Sequence, residues 1–177
     1  MLYIILAGGK SKRLGLNKLL LNVCGLPLVW ISFIKYKSLG FDLKVAASKH
    51  TLNEVIFLKF LGAEIIETPG KGYSEDVGYL LKLYGEPIVL FSADSIYLKK
   101  EHIKYFLSKT SNQSISAAVR LRNKIVYVGM NYAVPGCEKD KIIFLNDKKL
   151  SYSINVIEDL EAFKKWLWKN GCYSLFQ

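Results

Sequence analysis

The chain has 177 residues, 51% of them hydrophobic, with 13 Gly and only 4 Pro. That profile excludes a disordered chain and is long enough for one domain, 1–177, with a real core. The formal charge of +10 admits an anionic partner or merely a lysine-rich solvated surface; Lys is scattered from Lys10 to Lys169, without the block of like charge that marks a nucleic-acid tail.

Leu2–Ala7 is a short apolar run ending at Gly8-Gly9, which predicts a strand buried on both faces. It lacks a basic leader, so it reads as a first strand and not as a signal peptide. Leu26–Leu39 reads as a helix stopped by Gly40, and Leu43–Ser48 as the second strand. Thr51–Leu61 follows as a helix, with Thr51 as N-cap, Glu54 as capping-box partner and Gly62 as stop. Ala63–Glu67 is a third strand, broken at Pro69-Gly70, and Ser74–Tyr84 a helix capped by Ser74.

Pro87–Ser92 is a wholly apolar core strand that ends at Ala93-Asp94-Ser95, and Lys99–Lys109 is a helix. Ile115–Arg120 and Lys124–Val134 read as a hairpin turning near Asn123. Pro135–Leu150 is irregular apart from Ile142–Leu145. Ile154–Val156 is a short last strand and Glu158–Lys169 a closing helix.

This alternation predicts a doubly wound α/β fold with a mostly parallel sheet and right-handed crossovers. Residues 1–110 form its nucleotide-binding part, and 111–177 a small antiparallel extension on the acceptor side. Apolar runs fall well short of the ~20 residues a bilayer requires, so the cytoplasm is expected. Cys24, Cys137 and Cys172 are odd in number and show no Cys-x-x-Cys spacing, so neither a disulfide framework nor a zinc site is expected. His50 and His102 have no ligand spacing around them.

Four segments carry chemistry. The first is Leu6-Ala7-Gly8-Gly9-Lys10-Ser11-Lys12-Arg13-Leu14-Gly15-Leu16-Asn17-Lys18, directly after the first strand, where open α/β sheets bind ligands. Adjacent glycines let backbone N–H groups approach phosphate oxygens. Lys10, Lys12, Arg13 and Lys18 add the charge a triphosphate under attack requires, Arg13 as a fork and Lys18 as a point charge. The string is neither a Rossmann fingerprint nor a Walker A loop.

The second is Phe91-Ser92-Ala93-Asp94. Mg²⁺ takes one or two carboxylates plus waters and phosphate oxygens, which suits Asp94; the alternative is an Asp capping the next helix. The third is Ser153–Leu160, where Asn155 serves either a turn or a metal. The fourth is Pro69-Gly70-Lys71-Gly72-Tyr73-Ser74-Glu75-Asp76-Val77, whose Lys71 and Gly72, before a capped helix, suit an anion or a base edge, unless the loop is merely solvated.

Leu-Ala-Gly-Gly with Arg13, Gly15 and Lys18 resembles the signature of the MobA-like and sugar-phosphate nucleotidyltransferases, although the usual Lys-Pro is Lys18-Leu19 here. Gly70–Asp76, Glu86-Pro87, Ser92-x-Asp94 and Gly129-Met130-Asn131 resemble the CobY-type adenosylcobinamide-phosphate guanylyltransferases, from Leu2 to about Leu167 and most thinly between Arg120 and Ser153. The resemblance implies transfer of GMP from GTP to a cobinamide-type phosphate in cobalamin biosynthesis. It implies a nucleotide held by Leu6, Ala7, Gly8, Gly9 and Lys10, phosphates neutralised by Arg13 and Lys18, and Mg²⁺ on Asp94 with Asn155 as a possible second ligand. Lys71 and Gly72 would line the base or acceptor side, and Asp76 would accept from a guanine edge. A molybdenum-cofactor or sugar-phosphate transferase and a non-catalytic nucleotide-binding domain remain alternatives. No nucleic-acid recognition motif occurs. A homodimer is compatible with the sequence.

Overall fold

A computed structural model of the chain describes residues 1–9, 15, 17–122, 124–137, 140–151 and 157–175. The first apolar run forms β1 (Leu2–Leu6), and the strong run at 88–92 forms β6 (Ile88–Ser92) beside it. Together with β4 (Leu43–Ser48), β5 (Glu64–Thr68), β7 (Ser114–Leu121), β8 (Lys124–Ala133) and β9 (Asp140–Phe144) they build one sheet in the order β5-β4-β1-β6-β8-β7-β9. Every pairing is parallel except those of β8, which runs against both β6 and β7. The antiparallel part is therefore a strand set inside the sheet. The irregular stretch after Pro135 returns as a parallel edge strand, β9.

Both faces of the first strands are apolar because helices cover both. On one face α1 (Leu28–Ser38) and α4 (Lys100–Leu107) pack Phe33, Tyr36, Ile103 and Phe106 against Ile5, Val45, Val89 and Phe91. The Tyr36 and Phe91 rings stack 4.3 Å apart. On the other face Val77 and Leu80 of α3 (Tyr73–Tyr84) cover Ile4, Ala46, Ile66, Ile88 and Leu90, a cluster that ends at Ala133 of β8.

Several expectations change. The helix at Leu26–Leu39 starts two residues later, because Leu26–Pro27 (β3) pairs with Asn22–Val23 (β2). Its two-residue turn, Cys24-Gly25, has φ of 55° and 84°, the left-handed pair that tight hairpins use. The helix at Thr51–Leu61 is one α-turn, α2 (Leu52–Val55), followed by a 3-10 stretch over Ile56–Leu61. Thr51 does not cap it; its hydroxyl accepts from the Ser48 N–H at 3.1 Å, and Glu54 accepts from Asn17 at 2.8 Å. Gly72, not Ser74, precedes α3. The strand expected at Ile154–Val156 lies outside the described residues. The closing helix is α5 (Ile157–Asn170).

The cysteine expectation is corrected. Cys24 and Cys172 form a disulfide across a sequence separation of 148. A spacing rule sees only neighbours, whereas a separate apolar cluster brings these two together: Val23, Leu28 and Ile31 pack with Leu160, Phe163 and Leu175. Disulfides persist in oxidising compartments, and a reducing cytoplasm would hold both as thiols. Closing so long a loop restricts the unfolded chain. Reduction should therefore lower stability by about 3–5 kcal/mol in urea denaturation, with Cys24→Ser matching the reduced protein. Equal midpoints with and without reductant would contradict this.

Candidate functional site

Described residues at and beyond the carboxyl ends of β1, β5 and β6, with Ala46 of β4, surround a cleft of about 750 Å³, and the end of β4 braces it. The ends of β1, β4 and β5 are fastened by close backbone contact. The Ser48 hydroxyl, at the end of β4, donates to the Gly8 carbonyl at 3.2 Å. Gly70 has φ of 68°, and a Cβ there would lie 2.6 Å from the Ser48 Cβ, so only glycine fits. Asp76, in the first turn of α3, accepts the Gly70 N–H at 2.7 Å through Oδ1. Its Oδ2 lies 3.3 Å from where a Gly8 Cβ would stand. Gly9 has nothing within 4 Å of that position among the described residues, and it faces the cleft.

The opposite wall centres on Asp94, just past β6 and 9% exposed. Its Oδ2 accepts from the Lys18 ammonium at 2.5 Å, and its Oδ1 accepts from the Ser92 hydroxyl. Lys18 opens a 3-10 turn, Lys18–Leu20, whose Leu19 N–H is capped by the Asn17 side chain at 3.2 Å. The helix α4 begins only at Lys100, so Asp94 is not its cap. Below the loop, α1 supplies three donors to three carbonyls. Ser32 Oγ donates to Ala93, Tyr36 Oη to Ser95 at 2.5 Å, and Lys35 Nζ to Ile96. Lys35 is 3% exposed; burial, then the nearby Lys99 charge, lower its pKa to about 8. Burial and then the Asp94 charge hold the Tyr36 phenol well above its ordinary value.

From above, β8 closes on the same loop. Its pairing with β7 jumps from Ser116↔Asn131 to Ala118↔Tyr127, a bulge containing Gly129. Gly129 has φ of 71°, and a Cβ would lie 2.7 Å from the Ser92 Cβ. The bulge lets Ser95 Oγ donate to the Val128 carbonyl at 2.9 Å and turns Tyr127 and Asn131 into the cleft.

Of the residues the sequence singled out, Leu6, Gly8, Gly9, Lys18, Lys71, Gly72, Asp76 and Asp94 line this one cleft. Ala7 does not; it is buried, and its N–H is bound to the Ala46 carbonyl at 2.8 Å. Lys10, Arg13 and Asn155 lie outside the described residues. Sequence reasoning missed Ser48 and the Ser32–Lys35–Tyr36 set. A helix apolar on nearly every side, with a Ser and a Lys inside it, was the available signal. Among the described residues no three His, Cys, Asp or Glu side chains cluster as a metal site. Asp94 suits a cation that takes one protein carboxylate and completes its shell with phosphate oxygens and water, provided Lys18 yields its place.

A family model described as MobA-like NTP transferase domain matches residues 3–144. An adenosylcobinamide-phosphate guanylyltransferase of Methanocaldococcus jannaschii is 27% identical over 194 aligned positions, covering 95% of this chain and 98% of that protein. Among solved structures, molybdopterin-guanine dinucleotide biosynthesis protein A from Archaeoglobus fulgidus superposes with a TM-score of 0.71 at 18% identity, covering 96% of this chain and 100% of that one. A nucleotidyl transferase from Methanothermobacter gives 0.70 at 12% identity, covering 96% and 98%. At these identities the structural likeness is one of fold.

The buried lysine yields a pH prediction. Folded Lys35 loses its proton near pH 8, whereas an unfolded lysine keeps it to about 10.5. Between about pH 8 and 10 the unfolded chain binds more protons, so Lys35 makes stability rise with pH. Urea midpoints across this window should climb less steeply in Lys35→Met than in the parent; identical slopes would contradict the assignment.

Proposed function

The chain belongs to the MobA-like NTP transferase family, and on that premise we propose that this nucleotidyltransferase moves GMP from GTP to adenosylcobinamide phosphate, releasing pyrophosphate. The observation that carries the reading is the convergence of Gly9, Lys18, Lys71 and Asp94 on one cleft. The near full-length likeness to a guanylyltransferase supports the choice of nucleotide and acceptor.

In this reading an acceptor phosphate oxygen attacks the α-phosphorus in line. A new P–O bond forms, the bond to the bridging oxygen breaks, and pyrophosphate leaves with the electron pair. The acceptor phosphate is already ionised near neutral pH, so no side chain has to remove a proton. The protein's work is positioning and charge neutralisation. Gly8 and Gly9 hold the triphosphate against the end of β1. Lys18, paired with Asp94 in the free protein, turns its ammonium to the phosphates, joined by Lys10 and Arg13 of the same loop. Asp94, with Asn155 as a second candidate, would hold Mg²⁺, which adds positive charge beside the phosphates when bound. Lys71 and Gly72 line the base side. One Asp76 oxygen is spent on Gly70, which leaves Oδ2 for a guanine edge.

The localisation proposed is the cytoplasm, where Cys24 and Cys172 would stand as thiols unless that compartment is oxidising; among the described residues no helix is long and apolar enough to cross a membrane.

Thermal stabilisation by GTP, ATP, CTP and UTP, with and without Mg²⁺, tests the nucleotide, since a ligand that binds only the folded state raises apparent stability with its affinity. GTP should give the largest shift; a larger shift with ATP would overturn the guanylyl assignment. Pyrophosphate release with cobinamide, sugar and molybdopterin phosphates tests the acceptor, and turnover with one of the latter two alone would replace it.

Lys18→Ala should lower turnover by about 10²-fold or more. Asp94→Ala should abolish Mg²⁺-dependent turnover while leaving a cooperative unfolding transition. Normal turnover in Asp94→Ala would end its metal role.

A further inference from the structure

The β7–β8 hairpin runs on past the carboxyl end of β6. Phe91 pairs with Met130, whereas Lys124–Tyr127 pair only with β7. Residues paired across neighbouring strands share a face. On the α3 side of the sheet this places Tyr127 and Phe144 on either flank of Ala118, with Arg120 beside Ile125 in the next row. The apolar cluster beneath α3 ends at Ala133, short of these residues. They stay open to solvent: Tyr127 is 58% exposed, Ile125 48% and Phe144 38%. The Arg120 guanidinium lies 4.6 Å over the Phe144 ring. The row below is mixed, with Asn131 and Ile142 on either flank of Ser116, whose hydroxyl donates to Asp140 at 3.1 Å.

Single exposed apolar side chains are ordinary; three on one face of β8 and β9, beside a cleft, are not. Tyr127 lines that cleft together with Asn131, so patch and cleft are continuous. Lys71, Gly72 and Asp76 enter the cleft from the β5–α3 side, and Tyr127, Val128, Gly129 and Asn131 of β8 wall it beside them.

We propose that the exposed Tyr127–Ile125–Phe144 face seats the body of the phosphorylated acceptor, a broad ring system apolar in the middle and fringed with polar groups, whose phosphate turns into the cleft toward Lys18 and Asp94. This rests on the phosphorylated acceptor proposed above. The aromatic side chains and Arg120 cover the ring, and the Asn131 carboxamide meets amides at its rim. A small sugar phosphate would leave most of this face wet, so the face selects for size and flatness.

The test compares Tyr127→Ser combined with Phe144→Ser against the parent, with Tyr127→Phe as the conservative control. Serine in place of exposed rings should leave the thermal midpoint and the KM for GTP unchanged. The KM for adenosylcobinamide phosphate should rise by about tenfold or more, and Tyr127→Phe should stay close to the parent. Calorimetric binding of adenosylcobinamide phosphate to the protein loaded with a non-hydrolysable GTP analogue gives a readout independent of turnover. An unchanged acceptor affinity in the double variant, an equal loss for GTP, or no acceptor binding by the parent would each overturn the proposal. Acceptor binding that depends on Tyr127 without turnover would support it and would instead fail the transferase reading.

Discussion

A lysine and an aspartate from distant parts of the chain close the site before any ligand arrives. Lys18 belongs to the segment after β1 and Asp94 to the end of β6, and both are largely withdrawn from water. A carboxylate taken from solvent without a cation is costly, and so is an ammonium without an anion. Each therefore holds the other in place. Under the proposed function the pair would also be exchangeable: a triphosphate would offer Lys18 more negative charge than Asp94 does, and a divalent cation would offer Asp94 more positive charge than Lys18 does. In the free protein the two charges balance each other, and in the proposed function a nucleotide with its cation would rebalance them.

That exchange needs a carboxylate that stays in place when the lysine leaves. The loop carrying it is gripped from two directions. From α1, Ser32, Lys35 and Tyr36 engage three successive stretches of carbonyl, and from β8 the Val128 carbonyl engages Ser95. Neither element contributes a charge to the cleft. The chemistry thus sits on loops, and its precision comes from a helix and a bulged strand behind them.

Much of this was legible because strong patterns have few interpretations. An unbroken apolar run such as Ile88–Phe91, bounded by Pro87 and Ala93-Asp94, has to be a buried strand. Paired glycines alone suit an ordinary turn; followed by Lys10, Arg13 and Lys18 after a first strand they point to a close approach, and Gly8 does lie close to Asp76 and Ser48. The parts that escaped reading depend on partners remote in sequence. Asp140–Phe144 lacks the alternation of a half-buried strand and is ordered by parallel pairing with β7. Thr51 carries a good capping residue type, yet its hydroxyl is claimed by Ser48 of the preceding strand. Residue type alone would put Lys35 at the surface. Only the burial of nearly every neighbour on α1 shows that it faces inward. Gly129 was visible as part of a motif, but its reason, the Ser92 side chain pressed against it, needed the sheet to be assembled.

The bond between Cys24 and Cys172 makes most of the chain a closed covalent ring. A protease that cuts one surface loop anywhere inside that ring produces no separate fragment. The two pieces stay tethered at the β2–β3 hairpin, and the nicked protein migrates as one species until reductant is added. Resistance to a single cut is thus a property of this topology, and it disappears in any compartment that keeps the two sulfurs apart.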